Sequence, residues 1–278
     1  MSLVPALAAE SFAERVAKRC PAPKGDKKVA FFAGCVVNFV RPDLGESLLT
    51  VLERQGVGVT TFADEACCGI PVLQSGDEAD ARAMARHNVK MMAAQDFEHL
   101  VFVCPTCATT AKHEWPRLLA ADPQLAGKAR ELAEKAMDIS TYLAEVLAIA
   151  PPENAVPAKV TYHDPCHLAN AQGIKSQPRQ LLQRIPGVQL VEMAEANRCC
   201  GGSGTYSITH YDLSMKILDH KMDNAMATGA EYLATCCPSC MMQLQYGVKR
   251  HKWDCRVVHP IELVYEYYQS LPEIIPVN

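Results

Sequence analysis

Residues 28–35 read KVAFFAGC, and residues 159–166 read KVTYHDPC. Each is a short run of apolar, β-branched and aromatic residues that stops at a cysteine, as expected of a buried strand whose carboxyl end carries a thiol. Two more pairs follow in the same order: ADEACCG (63–69) with EANRCCG (195–201), and LVFVCPTC (100–107) with LATCCPSC (233–240). Cys35, Cys67, Cys68, Cys104 and Cys107 are thus matched by Cys166, Cys199, Cys200, Cys237 and Cys240, at separations of 131 to 133 residues. Five positions held at so constant a spacing make the chain two copies of one unit.

Working outward, KVAFF, GVGVTTF and HLVFV in the first copy, and KVTYH, VQLVEM and EYLAT in the second, read as strands. Between them PDLGESLLTVLERQG has helical periodicity, an Asp43 to Glu46 capping-box spacing and a terminal glycine, and DEADARAMARHNVKMMAAQ is amphipathic at helical period. YSITHYDLSMKILDHKM reads as one helix after the second Cys-Cys-Gly. Alternating strand and helix predicts an α/β fold of two tandem similar halves, each a small mainly parallel sheet flanked by helices. The Pro-rich stretch 150–159 reads as the linker, which gives an N-terminal segment 1–26, a first domain 27–150 and a second domain 151–278. The first half has an extra stretch, HEWPRLLAADPQLAGKARELAEKA, before its tail ISTYLAEVL, which corresponds to VHPIELVYEY in the second.

The 278 residues, 49% hydrophobic and 21% charged with a net charge of −4, describe an ordinary folded protein without the basic footprint of a nucleic-acid binder. No apolar run is long enough to span a bilayer, and the N-terminus lacks the cationic start of a secretory signal. A cytoplasmic location is expected, with contact to the inner membrane only through partners in a complex. Thirteen cysteines in a reducing compartment point to metal ligation or redox chemistry rather than structural disulfides.

Cys35, Cys104, Cys166 and Cys237 each lie just past a predicted strand, on the edge where open α/β sheets gather ligands. Five thiols per half should therefore converge. Four thiolates suffice for tetrahedral zinc or for a cubane iron–sulfur cluster. A fifth thiolate and an adjacent pair suit a larger or more open cluster better; structural zinc and metal-free thiol redox chemistry are the alternatives. Cys20, Cys236 and Cys255 have no counterpart in the other half and read as ordinary cysteines. No G-x-G-x-x-G follows a strand, so no flavin or NAD site of its own is expected.

The doubled pattern of one cysteine, then Cys-Cys-Gly, then Cys-Pro-x-Cys resembles the cysteine-rich CCG domain family over about residues 28 to 270. That family includes the B subunit of heterodisulfide reductase and the iron–sulfur subunits of glycolate oxidase, anaerobic glycerol-3-phosphate dehydrogenase and lactate-utilisation complexes. FFAGCVVNFVRPDLG, TYHDPCHLANAQGI and RCCGGSGTYSITH look most like the glycolate oxidase and lactate-utilisation branch. The resemblance implies two noncubane [4Fe-4S] clusters, one on Cys35, Cys67, Cys68, Cys104 and Cys107, the other on Cys166, Cys199, Cys200, Cys237 and Cys240. It further implies a redox subunit that receives electrons from a flavoprotein 2-hydroxyacid dehydrogenase, or else a disulfide reductase of the heterodisulfide kind. The C-x2-C-x2-C-x3-C-P runs with which longer members begin do not occur here, so either a ferredoxin-like protein or subunit is a separate partner or such a domain precedes this sequence in a longer chain.

Around the thiols, His163 reads either as a polar neighbour or proton donor to the second cluster or as a strand-end histidine with a purely local partner; Asp164 and His167 flank Cys166 in the same way. Gly69, Gly201 and Gly202 are expected to let backbone N–H groups approach cluster sulfurs, the second loop being the barer of the two. His87, His113, His220 and His251 read as surface or locally satisfied histidines. The methionines of KMMAAQ and CMMQLQ and the tyrosines of VYEYYQS read as core or subunit packing rather than as cofactor ligands.

Overall fold

The structure, a computed structural model, describes residues 5–19, 27–149, 157–202 and 204–269. The first half contributes the strands β1 (Lys27–Phe32), β2 (Val57–Thr61), β3 (His99–Phe102) and β4 (Ala136–Asp138). The second contributes β5 (Ala158–Tyr162), β6 (Val188–Leu190), β7 (Tyr232–Ala234) and β8 (Arg256–Val258). Every pairing is parallel, and the two sheets have the same order, β2-β1-β3-β4 and β6-β5-β7-β8. The six strands expected from sequence are present. β4 and β8, three residues each, were not anticipated; they add an edge to each sheet.

This strand order fixes where a ligand can sit. The chain leaves β1 toward one side for β2 and returns to the other side for β3, so the loops after β1 and β3 diverge and leave a crevice at their carboxyl ends. Cys35 follows β1 and Cys104 follows β3; Cys166 and Cys237 repeat the placement after β5 and β7. The Cys67–Cys68 and Cys199–Cys200 pairs come after the edge strands β2 and β6 and reach back over the crevice.

One hydrophobic cluster joins the halves: Phe31, Val101, Val103 and Leu143 pack in the same core as Val160, Tyr162, Val258 and Ile261. Here the helix Pro42–Arg54 lies beside the helix Pro260–Gln269. Arg41 bridges them, holding Asp43 at 2.8 Å and Glu262 at 2.6 Å, and Gln55 donates to the Tyr268 hydroxyl at 2.9 Å. Each half also has an outer core of its own, built on Phe102, Trp115 and Met92 in the first and on Leu218, Met222 and Met241 in the second. Of the methionines and tyrosines singled out from the sequence, Met92, Met241, Tyr267 and Tyr268 are buried, while Met91, Met242 and Tyr265 are half-buried.

Three local readings need correction. The Asp43–Glu46 capping box does not form: Arg41 takes the N-cap position, Pro42 opens the helix, Asp43 pairs with Arg41, and Glu46 pairs with Arg15 at 2.7 Å. Proline at the first helical position fixes the start one residue before Asp43 could serve as cap. A capping box does occur at Ser11 and Glu14, ahead of the helix Phe12–Lys18. Second, YSITHYDLSMKILDHKM is two helices, Tyr206–Thr209 and Tyr211–Met226, because His210 leaves helical geometry at φ −129°, ψ 49° while the Thr209 hydroxyl bonds back to Thr205 O and to the His210 ring. Third, Ala158 and Lys159 of the supposed linker already belong to β5; positions 150–156 of that stretch, and Cys20, lie outside the described residues.

Candidate metal centre

All ten repeated cysteines line a single cavity where the carboxyl edges of the two sheets face each other. Cys35, Cys166 and Cys199 are exposed at its rim, Cys67 is half-buried, and the other six are buried. The cavity wall is otherwise mainly apolar, with Val36, Val37, Ile70, Pro71, Pro165 and Pro238. The sequence expectation of five converging thiols per half is met, but the two sets share one space rather than occupying two separate ones.

Local chemistry explains the Cys-Pro-x-Cys copies. Cys104 and Cys237 are N-cap residues in extended conformation, each followed by proline at N1 of a helix, Pro105–Thr109 and Pro238–Arg250. The backbone N–H groups of Cys107 and Cys240 favour the ionised forms of Cys104 and Cys237, although neither sulfur makes a cap hydrogen bond. A thiolate at an N-cap thus faces the positive end of the helix dipole. A three-residue step places both sulfurs of the motif on one side of the helix.

The Cys-Cys-Gly copies are built differently. Gly69 and Gly201 have left-handed backbones at φ +98° and +84°. That turn directs the Gly201 N–H to the Cys199 sulfur at 3.3 Å, and the Gly69 N–H favours the ionised form of Cys67. A Cβ on Gly201 would stand 2.7 Å from the Ser214 carbonyl oxygen, and one on Gly202 2.7 Å from Gln243 Cβ, so close helix packing also requires glycine there. Gly202 lines the cavity, while Gly69 and Gly201 act from behind the sulfurs.

Thiols that act on one another's ionisation follow each other in a chain from one half to the other: Cys35, Cys67, Cys68, Cys107, Cys104, then Cys237, Cys240, Cys200, Cys199. Cys166 stands beside this chain with its sulfur 3.5 Å from His167 Nδ1. Donation from Cys35 and Cys68 holds the Cys67 thiol far below its ordinary value, and Cys199 and Cys240 do the same for Cys200. Their neighbours are pushed up in turn: Cys35 by its bond to Cys67, Cys240 by Cys200 and Cys237. Sulfurs this close cannot all ionise without cations among them, since like charges in a buried site repel strongly. The donor set therefore fits a polynuclear, sulfur-liganded metal group.

Neighbouring side chains secure the thiols. His163 is 1% exposed, and its ring nitrogen lies with the Cys200 and Cys240 sulfurs in a group whose ligand atoms are all within 4.8 Å of one another. Its Nδ1 has no hydrogen-bond partner among the described residues, and the ring stands beside the Cys200 and Cys240 sulfurs. Asp164 instead is held by Arg179 at 2.7 and 2.9 Å. The surface histidines behave as expected: His87 meets the Asp64 carbonyl, His220 pairs with Glu195, His251 with Asp219, and His113 is exposed. Cys236 is buried against Ser140 Oγ at 3.1 Å, and Cys255 is half-buried.

Four supporting residues were not singled out from sequence. Glu65 accepts the N–H groups of Ala33 and Gly34 at 3.1 and 2.9 Å, which fixes the turn into Cys35; burial pushes its carboxyl up to about 7 despite those bonds. Trp115 donates its indole N–H to the Cys68 carbonyl at 3.0 Å. Asn88 holds the Ala66 and Cys67 carbonyls at 3.2 and 3.1 Å, and Lys221 holds those of Glu195 and Ala196 at 2.6 and 3.2 Å. The two-residue offset of Glu65 from a Cys-Cys pair was the visible clue; the others look like ordinary helix residues.

Residues 29–112 and 160–245 match the CCG family, described as a cysteine-rich domain. The chain is 32% identical over 237 residues to lactate utilization protein A of Oceanobacillus iheyensis, which covers 85% of this chain and 96% of that protein. It is 33% identical over 248 residues to the probable glycolate oxidase iron-sulfur subunit of Bacillus subtilis, 86% of this chain but about half (54%) of that longer protein. A crystal structure of a hypothetical protein from Helicobacter pylori superposes with a TM-score of 0.57 at 13% identity, over 94% of this chain and 54% of the other; that likeness is one of fold. With both matched segments enclosing the cysteines that line the cavity, the chain belongs to the CCG cysteine-rich domain family and carries two copies of its domain.

Proposed function

We propose that this protein is an iron–sulfur electron-transfer subunit of a complex that oxidises a 2-hydroxyacid such as lactate or glycolate. The observation that carries the reading is the gathering of five thiols per half into one cavity at the sheet edges; the names of its relatives support it. Cys35, Cys67, Cys68, Cys104 and Cys107 would hold one noncubane [4Fe-4S] cluster, and Cys166, Cys199, Cys200, Cys237 and Cys240 the other. Bound clusters supply one-electron redox chemistry that the side chains lack. The chain itself provides ligation, N–H donors from Gly69 and Gly201, the His163 ring, and an apolar wall that limits water. A flavoprotein dehydrogenase would deliver electrons and a ferredoxin-like protein would exchange them; among the described residues no helix is long and apolar enough to cross a membrane, so bilayer contact would run through those partners.

Anaerobic preparation with iron, zinc and acid-labile sulfide analysis tests this directly. Iron and sulfide in equal amounts, with loss of half of each in a Cys200→Ser variant, are expected; zinc without sulfide overturns the proposal. A second reading, reduction of a small disulfide between the two sets, is favoured by their common cavity and by the exposed rim sulfurs Cys35, Cys166 and Cys199. Turnover of a disulfide by the iron-loaded chain with dithionite as reductant decides for it, and absence of turnover decides for the relay.

A further inference from the structure

The halves repeat each other in fold and thiols, but the side chains around the thiols differ, and three differences run in one direction. Three residues before Cys35 stands Phe32; three before Cys166 stands His163, buried and facing Cys200 and Cys240. On the helix after each Cys-Cys-Gly loop, one wholly buried side chain ties down the loop carbonyls. In the first half it is the neutral amide of Asn88, in the second the ammonium of Lys221. Two residues before the first cysteine of each pair stands Glu65 in the first half and Asn197 in the second. An apolar ring, an amide and a carboxyl thus face a hydrogen-bonding ring, a cation and an amide.

The remaining charges do not cancel this contrast. Asp164, the acid nearest Cys166, is neutralised by Arg179, which also holds Glu192 at 2.6 Å. Glu195 is exposed and paired with His220 and Arg198. In the first half burial lowers Lys112, and Asp138 is the acid that acts on it. Burial lowers Lys221 to about 8, which leaves it largely protonated at neutral pH, and the charges it feels include Cys200 and Cys199. Donors and positive charge near sulfur ligands stabilise the electron-rich state of a metal group, and weak screening inside a protein magnifies the effect.

We propose that the two thiolate sets are redox-unequal: His163 and Lys221 make the second set the place where a shared electron rests, so that electrons pass from the first set to the second. This rests on the iron–sulfur reading above. With iron bound to both sets, one electron would be lost by the iron that the first set would hold and gained by the iron that the second would hold, with no bond formed or broken. The contact between Cys104 and Cys237 places the two sets against each other for that exchange. His163 and Lys221 are positioning residues acting through the sulfurs.

The test is a redox titration of the full-length, anaerobically iron- and sulfide-loaded chain, followed by EPR. Two waves are expected, the higher disappearing in Cys200→Ser and the lower in Cys68→Ser. His163→Phe and Lys221→Asn, which copy the first half into the second, should each move the higher wave downward with unchanged iron content. His163→Gln, which keeps an N–H donor, should retain most of the potential lost in His163→Phe. If His163→Phe fails to load, Lys221→Asn carries the test. A higher wave that survives in Cys200→Ser, or that stays fixed in every loaded variant at these two positions, overturns the proposal. Iron and sulfide present with coincident waves defeats this inequality alone, whereas zinc without sulfide defeats the cluster reading and this proposal together.

Discussion

Gly201→Ala is expected to harm the second half far more than Gly69→Ala harms the first, although both glycines sit in the same motif. Both adopt a left-handed backbone, φ +84° and +98°, and a side chain there costs about 1–2 kcal/mol in either place. The surroundings separate them. At Gly69 the new methyl would sit 3.3 Å from the Ala81 carbonyl oxygen, which a shift of a few tenths of an ångström relieves. At Gly201 it would sit 2.7 Å from the Ser214 carbonyl oxygen, so the helix Tyr211–Met226 must retreat. Ser214 Oγ also donates to Gly201 O at 2.8 Å and accepts from Gln243 at 3.2 Å, and both bonds must adjust. Overpacking of this kind adds roughly 1–3 kcal/mol. At about 2–4 °C per kcal/mol, thermal unfolding of the metal-free chain should place Gly201→Ala roughly 2–12 °C below Gly69→Ala. Equal melting temperatures for the two variants, or the reverse order, would refute the packing argument.

Trp115→Phe removes the donor to the buried Cys68 carbonyl and should cost about 1–3 kcal/mol in chemical unfolding; the loaded variant should also release iron from the first set faster to a chelator. Asp138 is fully buried, with one oxygen accepting from Ser140 N–H at 2.8 Å and the other unpaired, and burial raises its carboxyl to about 7 from an ordinary value near 3.8. Its protonated form is favoured in the fold, so this contribution is full below pH ~3.8 and is lost as pH rises toward 7. Asp138→Asn should therefore flatten that decline, leaving the variant the more stable of the two at pH 8 by thermal unfolding; an unchanged pH profile counts against it. Cys255→Ser should leave iron content intact while Cys200→Ser loses about half, measured on the same preparation. Arg179→Ala leaves Asp164 buried without its partner and should cost about 3–5 kcal/mol.

What the sequence revealed and what it hid follow from the range of the interactions involved. The strands and the repeat were legible because an apolar run ending in a cysteine is a local pattern, and two copies of it confirmed each other. The three-residue strands β4 and β8 were not, since their strand character comes from pairing with β3 and β7 rather than from their own composition. The five thiols per half could be grouped by motif, yet their meeting in one cavity depends on how the two sheets face each other across a shared core. Lys221 was invisible for a related reason: a lysine in a polar-looking helix is ordinarily solvated, and only the fold turns it inward to carbonyls 25 and 26 residues away.

The contact of Cys104 with Cys237, seated on a core to which both halves contribute, is the arrangement a symmetric dimer of one half would have. In such a dimer every substitution is made twice, and the two sides of the contact are obliged to stay alike. Written as a single polypeptide, the same assembly permits Phe32 on one side and His163 on the other, each changed once. A matched pair of sites becomes an ordered pair, and under the electron-transfer proposal such an order is what would give electrons a direction.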